Sequence, residues 1–192
     1  IYEARDAFDN TATCKQVIII QNTMAPSITG DDPEPMAAND NCKATVDFSA
    51  TILDCCVDPD SIQVFKISGA GWITNSTVIE IEGGYEVIGS AKVILPFDAC
   101  ESTMRIKIKA RDCCGLAGES LILTLTARDE TPPEIYCPPD IELGCMETPD
   151  MLEITGMPEV YDACSNVSSV YYEDSEELPD PPRIIRTWFA ED

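Results

Sequence analysis

Ten cysteines and no histidine decide which chemistries are open to this 192-residue chain. A thiol can do redox work, ligate a metal or pair with another thiol. Redox and zinc motifs both favour Cys-x-x-Cys spacing, and none occurs here. With no histidine, a zinc site would need four cysteines at chelating spacing. The adjacent pairs Cys55-Cys56 and Cys113-Cys114 instead direct their side chains to opposite faces of a strand. Disulfides are therefore the expected state of Cys14, Cys42, Cys55, Cys56, Cys100, Cys113, Cys114, Cys137, Cys145 and Cys164, which places the chain outside the reducing cytosol. The absence of histidine also removes Ser-His and Cys-His nucleophiles, and no phosphate-cradling glycine loop is present. Among 35 acidic residues some carboxylates must lie close together, so paired acids carry no glycosidase signal. No enzyme is expected, and no cofactor beyond a cation.

The acids set the second question. A formal charge of −23 with only 12 basic residues excludes a phosphate-neutralising nucleic-acid binder. It is compatible with Ca²⁺ or with a strongly solvated surface. Oxygen donors cluster at Asp31-Asp32-Pro33-Glu34, at Asp58-Pro59-Asp60, at Glu173-Asp174-Ser175-Glu176-Glu177, and at Asp129-Glu130 with Glu134. None forms an EF-hand loop, and solvated turns are the simpler account. The candidate Ca²⁺ ligands are Asp58, Asp60, Asp129, Glu130 and Glu134. The last three lie at a domain junction, where a shared cation would neutralise repelling acids and stiffen one module against the next. Trp72, in Gly69-Ala70-Gly71-Trp72-Ile73, is the candidate platform for a sugar ring, against the commoner role of filling a core or sheet edge. Asn75 and Asn166 head glycosylation triplets. Arg105, Lys107 and Lys109 are expected to face carboxylates across a sheet.

The elements that must position these residues read as strands. Residues 103–110 alternate, with Met104, Ile106, Ile108 and Ala110 on one face and Arg105, Lys107 and Lys109 on the other. Residues 120–127 put Leu121, Leu123 and Leu125 inward, and residues 77–82 set Ile79 and Ile81 against Glu80 and Glu82. Further β-branched runs occupy residues 17–20, 44–53, 61–67 and 91–95. No stretch has helical periodicity, and 10 Gly and 14 Pro punctuate the runs, as in an all-β sandwich. No apolar run approaches the ~18 residues of a membrane-spanning helix, so no membrane span is expected.

The chain also repeats itself. Tyr2-Glu3-Ala4-Arg5-Asp6, Ile108-Lys109-Ala110-Arg111-Asp112 and Trp188-Phe189-Ala190-Glu191-Asp192 match. The first two lead through an apolar run to proline-bearing junctions, Ala25-Pro26-Ser27-Ile28 and Pro132-Pro133-Glu134-Ile135. An acid-x-Cys step recurs at Asp40-Asn41-Cys42, Asp98-Ala99-Cys100 and Asp162-Ala163-Cys164. The expected organisation is the terminal strands of a preceding module in residues 1–25, a complete sandwich in 26–131 and the first part of a following module in 132–192. A window of a longer repetitive polypeptide, with incomplete domains at both ends, is the simplest account. The alternative is a fibre subunit that polymerises by donating residues 1–22 as strands to a neighbour.

Both flanks resemble the hyalin-type repeat found in tandem in cell-surface adhesins. The matching residues are Thr131-Pro132-Pro133-Glu134-Ile135-Tyr136-Cys137-Pro138-Pro139-Asp140-Ile141, Asp162-Ala163-Cys164-Ser165-Asn166-Val167 and Arg186-Thr187-Trp188-Phe189-Ala190-Glu191-Asp192, together with Ala4-Arg5-Asp6 through Asn10-Thr11-Ala12-Thr13-Cys14. The middle segment departs from the repeat, being longer and carrying the Cys55-Cys56 and Asp112-Cys113-Cys114-Gly115 steps. The resemblance implies tandem immunoglobulin-like sandwiches, extracellular exposure and a role in adhesion or spacing, with neighbouring domains or subunits of the same fibre as partners. A surface glycan or protein held by the middle domain is the alternative partner. By the same analogy Cys145 is expected to pair with Cys164, leaving Cys137 for a downstream equivalent of Cys14. The six cysteines of the middle domain allow 15 pairings, which the sequence leaves open.

Overall fold

The computed structural model describes residues 1–19, 22–97, 99–176 and 183–192. In chain order its strands are β1 (Tyr2–Arg5), β2 (Thr11–Cys14), β3 (Ser27–Thr29), β4 (Met36–Ala37), β5 (Lys43–Leu53), β6 (Val57–Gly69), β7 (Gly71–Ile81), β8 (Gly84–Ile94), β9 (Glu101–Asp112), β10 (Leu121–Arg128) and β11 (Glu134–Tyr136). One turn of helix, α1 (Leu152–Thr155), then precedes β12 (Glu159–Tyr161), β13 (Ser169–Asp174) and β14 (Arg186–Glu191). The fold is all-β.

Strands β3 to β10 form two four-stranded sheets, ordered β3-β5-β8-β7 and β4-β10-β9-β6. Every pairing is antiparallel except that of β4 with β10. The reason lies in the period-two burial of the central strands. Val46, Phe48 and Ile52 of β5 and Val87 and Val93 of β8 are buried, as are Met104, Ile106 and Ile108 of β9 and Leu123 and Leu125 of β10. These side chains pack as one cluster, so the inner faces of the two sheets enclose a single core. Burying each large apolar side chain contributes about 1.5–3 kcal/mol.

Three strand-level expectations fail for identifiable reasons. Residues 77–81 do extend, as the end of the edge strand β7, with Glu82 in the turn that follows, but Ile79 stays 41% exposed. Residues 17–19 form no strand, and Val17, Ile18 and Ile19 are exposed, while Ile20 lies outside the described residues. Among the described residues, Arg105, Lys107 and Lys109 form no ion pair with a carboxylate. Their cross-strand neighbours on β6 are Ser68, Phe65 and Gln63, and the Lys109 ammonium lies 5.4 Å from the centre of the Phe65 ring.

The flanking segments build smaller sheets. β1 and β2 pair with each other, β11 pairs with β12, and β13 with β14. In the last of these, the Arg186 guanidinium binds both oxygens of Asp174 at 2.7 Å and lies 3.8 Å from the centre of the Tyr172 ring. It also donates to the Pro149 carbonyl at 2.7 Å, which ties β14 to the loop before α1. Among the described residues, no helix is long and apolar enough to cross a membrane.

Candidate metal centre

Three aspartates from separate parts of the chain converge beside the C-terminal end of β10. Asp129, Asp162 and Asp192 each bring one carboxylate oxygen to a common place, all within 4.8 Å of one another. Asp129 follows β10, and its backbone N–H donates to the Cys100 carbonyl at 2.8 Å, which locks the exit of the strand. Its side chain folds into an Asx turn, with Oδ1 accepting the Thr131 N–H at 3.2 Å. Asp162 follows β12 and turns the chain in the same way. Its Oδ1 accepts the N–H groups of Cys164 and Ser165, both at 2.8 Å. Asp192 follows β14, and its Oδ2 accepts the Ser165 hydroxyl at 3.0 Å.

In both turns one oxygen of the carboxylate is consumed by local N–H donors and the other is left over. Asp162 is only 9% exposed. Its Oδ2 is buried without a hydrogen-bond partner, and so is Oδ2 of Asp129. Burial opposes the charge of Asp162, but the Ser165 and Cys164 donors outweigh it and hold its carboxyl below the ordinary carboxylate range. Its unpartnered buried oxygen lies in a cluster with two more acids. A buried carboxylate oxygen without a donor calls for a positive partner. The ion pairs among the described residues are Arg5 with Asp9, Arg128 with Glu101 and Arg186 with Asp174, so none supplies it. Three hard oxygen donors with no nitrogen or sulfur suit a hard divalent cation.

Of the expected Ca²⁺ ligands, only Asp129 enters this cluster. Glu130 is exposed, and Glu134 is exposed and accepts the Tyr136 hydroxyl at 2.9 Å, a bond that raises the phenol's pKa. Asp58 and Asp60 sit on β6, where Asp58 Oδ1 accepts the Asp60 N–H at 3.1 Å in an irregular stretch of the ladder. Asp162 and Asp192 were both visible in the sequence as members of repeats, but nothing there indicates that they meet. Trp72 lies on β7 and is 46% exposed. Asn75 and Asn166 are exposed, on β7 and in the loop after β12 respectively. Of the acid-x-Cys steps, Asp98 lies outside the described residues, as does Glu177 of the acidic run 173–177.

The cysteines pair in part, and not as the resemblance implies. Cys164 bonds Cys42, with Cα atoms 5.1 Å apart, and not Cys145. Cys56 bonds Cys113 across a Cα separation of 5.6 Å. Cys14, Cys55, Cys100, Cys114, Cys137 and Cys145 are exposed free thiols, which corrects the expectation that all ten are oxidised. Both adjacent pairs lie in turns rather than on a strand as expected, and one member of each, Cys56 and Cys113, is bonded while Cys55 and Cys114 are not. The Cys42–Cys164 bond spans 122 residues and fixes the Asp162 turn to the turn before β5. Cys42 is itself held in the left-handed region, at φ 57°, by the tight turn over Asn39 to Lys43.

Compared with protein-family models, with curated proteins and with solved structures, the chain matches none.

Proposed function

We propose that this chain is a non-enzymatic structural segment of an extracellular surface fibre or adhesin, built from tandem immunoglobulin-like sandwiches joined by stiffened junctions. The observation that carries this reading is the Cys42–Cys164 bond, which ties the sandwich to the segment that follows it, beside a cluster of acids drawn from both. A covalent tie at a module boundary limits extension under load. The strand orders β3-β5-β8-β7 and β4-β10-β9-β6 support the immunoglobulin-like part, since they correspond to an ABED sheet facing a CFG sheet, with β3 and β4 sharing the role of the first strand. Two disulfides and a charge of −23 suit an oxidising, salty exterior. Strand donation by residues 1–22 is the weaker reading, because β1 and β2 already pair with each other. A glycan-binding role for the middle sandwich rests on the half-exposed Trp72 ring.

Single-molecule pulling of the whole chain tests the proposal. With Cys42 bonded to Cys164, the 122-residue span between them cannot extend, and adding a reductant is expected to lengthen the unfolding events by about 40 nm in total. Equal extension with and without reductant would show that the bond bears no load and would remove the main support for a mechanical role.

A further inference from the structure

The molecule contains the acidic junction twice, in two chemical forms. Asn22-Thr23-Met24-Ala25-Pro26 precedes β3 as Asp129-Glu130-Thr131-Pro132-Pro133 precedes β11. Asn22 Oδ1 accepts the Met24 N–H at 3.1 Å, the same turn that Asp129 makes with Thr131. Asp54 Oδ1 accepts the Cys56 N–H at 2.8 Å, as Asp162 Oδ1 accepts that of Cys164. Asp112 ends β9 with the Ala-Arg-Asp sequence that reads Ala-Glu-Asp at Asp192. Asn22, Asp54 and Asp112 thus hold the places of Asp129, Asp162 and Asp192.

At the upstream junction the centre of the triad is filled by protein. The Asn22 amide nitrogen donates to Asp54 Oδ1 at 3.1 Å and to Asp112 Oδ2 at 3.0 Å, so its two hydrogens satisfy both acids at once. At the downstream junction that nitrogen is replaced by a carboxylate oxygen, which has nothing to donate. Two buried oxygens are left unpartnered as a result. Two ligands on opposite sides of a Ca²⁺ ion, with bonds of about 2.3–2.6 Å, lie about 4.6–5.2 Å apart. The observed limit of 4.8 Å is compatible with that span.

We propose that Asp129, Asp162 and Asp192 bind one Ca²⁺ ion, and that Asn22 takes the place of that ion between Asp54 and Asp112. The downstream junction is then cation-dependent and the upstream one cation-independent. Three carboxylate oxygens fill at most half of the 6–8 oxygen positions that Ca²⁺ takes, so water completes the shell. The affinity belongs in the range of extracellular modules, with a dissociation constant on the order of 10⁻⁴–10⁻³ M. This inference stands on junction geometry and is independent of the mechanical reading.

Calorimetric titration of the oxidised full chain with CaCl2, after removal of metal by chelator, tests it. The expected result is saturable binding of about one Ca²⁺ per chain, with Mg²⁺ binding at least tenfold more weakly. Asp129→Asn copies the upstream arrangement, so it is expected to keep the fold, as read by circular dichroism, and to weaken Ca²⁺ binding at least tenfold. Asn22→Asp is expected to raise the stoichiometry from about one to about two. No saturable binding, or wild-type binding by Asp129→Asn, would overturn the downstream site. Mg²⁺ binding as tight as Ca²⁺ would overturn the choice of ion. A stoichiometry that stays at one in Asn22→Asp would overturn the equivalence of the two junctions.

Discussion

Asp112 and Asp192 close the matching sequences Ala-Arg-Asp and Ala-Glu-Asp, yet their surroundings differ. Asp112 is 2% exposed, and its two oxygens accept N–H donors from Cys114 at 2.9 Å, Leu116 at 2.7 Å and Asn22 at 3.0 Å. Asp192 is exposed and accepts one hydroxyl, that of Ser165. At the first junction an amide and backbone N–H groups donate to the acids, and at the second two buried carboxylate oxygens have no donor. One position, Asn22 against Asp129, supplies one of the three donors to Asp112 and has no counterpart downstream. An amide brings its own donors, whereas a carboxylate must recruit a positive partner.

The largest effect expected from breaking this comparison is at Asp112. Asp112→Ala removes three accepted hydrogen bonds at a buried site and leaves the Cys114, Leu116 and Asn22 donors unsatisfied, so it should cost about 3–4 kcal/mol. Asp192→Ala in the presence of chelator should cost much less, because no cation then needs its charge. Denaturant unfolding of both variants measures the contrast. Comparable losses at the two sites would mean that the junctions are held in the same way.

The disulfides offer the next test. Cys56–Cys113 joins the turns that follow Asp54 and Asp112, so both its ends belong to the sandwich, whereas Cys42–Cys164 crosses from the sandwich to the following segment. Losing either should cost about 2–4 kcal/mol. The difference should appear with Ca²⁺. In Cys42→Ser the ion becomes the main remaining tie at the downstream junction, so 5 mM CaCl2 should restore part of the lost thermal stability. It should restore nothing beyond the wild-type increment in Cys56→Ser. Thermal melts of both variants with CaCl2 and with chelator would show it, and an equal response to the ion would separate the bond from the cation site.

The sandwich was largely legible from sequence because its central strands bury one face. Alternation at residues 103–110 predicts the buried positions Met104, Ile106, Ile108 and Ala110 of β9. The same signal at residues 77–82 misplaces Ile79, since alternation states that a strand has two faces but not whether another layer covers one of them. The disulfides were illegible in their pairing. Whether Cys164 reaches Cys42 or Cys145 depends on where turns fall across 122 residues, which local spacing does not encode. The site was half legible. Asp129 stands out as a junction acid and Asp192 as a repeat residue, but the step Asp54-Cys55-Cys56, which reveals the second acid of the upstream triad, is masked by its doubled cysteine. One repeat does carry over into geometry. Asp6 Oδ1 accepts the Phe8 and Asn10 N–H groups as Asp112 Oδ1 accepts those of Cys114 and Leu116. The third residue after each aspartate, Asp9 at φ 65° and Gly115 at φ 86°, is left-handed in both turns. Glycine is the residue best suited to that conformation, and aspartate tolerates it, which is why the repeat survives the exchange.

The smallest expected effect comes from an ion pair outside both junctions, and it serves to separate acid sensitivity of the fold from loss of the cation. The carboxyl of Asp174 is held below the ordinary carboxylate range, first by its hydrogen bonds from Arg186, against a smaller opposing effect of burial, and further by the guanidinium charge. A depressed carboxyl in the folded state contributes stability that is complete above its unfolded pKa of about 4 and disappears as the pH falls through the lower folded value. The pair is largely shielded from solvent, with side-chain exposures of 14% for Arg186 and 27% for Asp174. A bidentate pair of that kind contributes about 1 kcal/mol. Asp174→Asn should therefore lower stability at pH 7 and flatten the loss of stability below pH 4, and it should do so equally with chelator and with CaCl2. Acid titration of the variant and the wild type, followed by circular dichroism, reads the difference. If the variant responded to CaCl2 differently from the wild type, the region around β13 and β14 would be coupled to the Asp192 end of the cation site, and the two junctions would differ in reach as well as in chemistry.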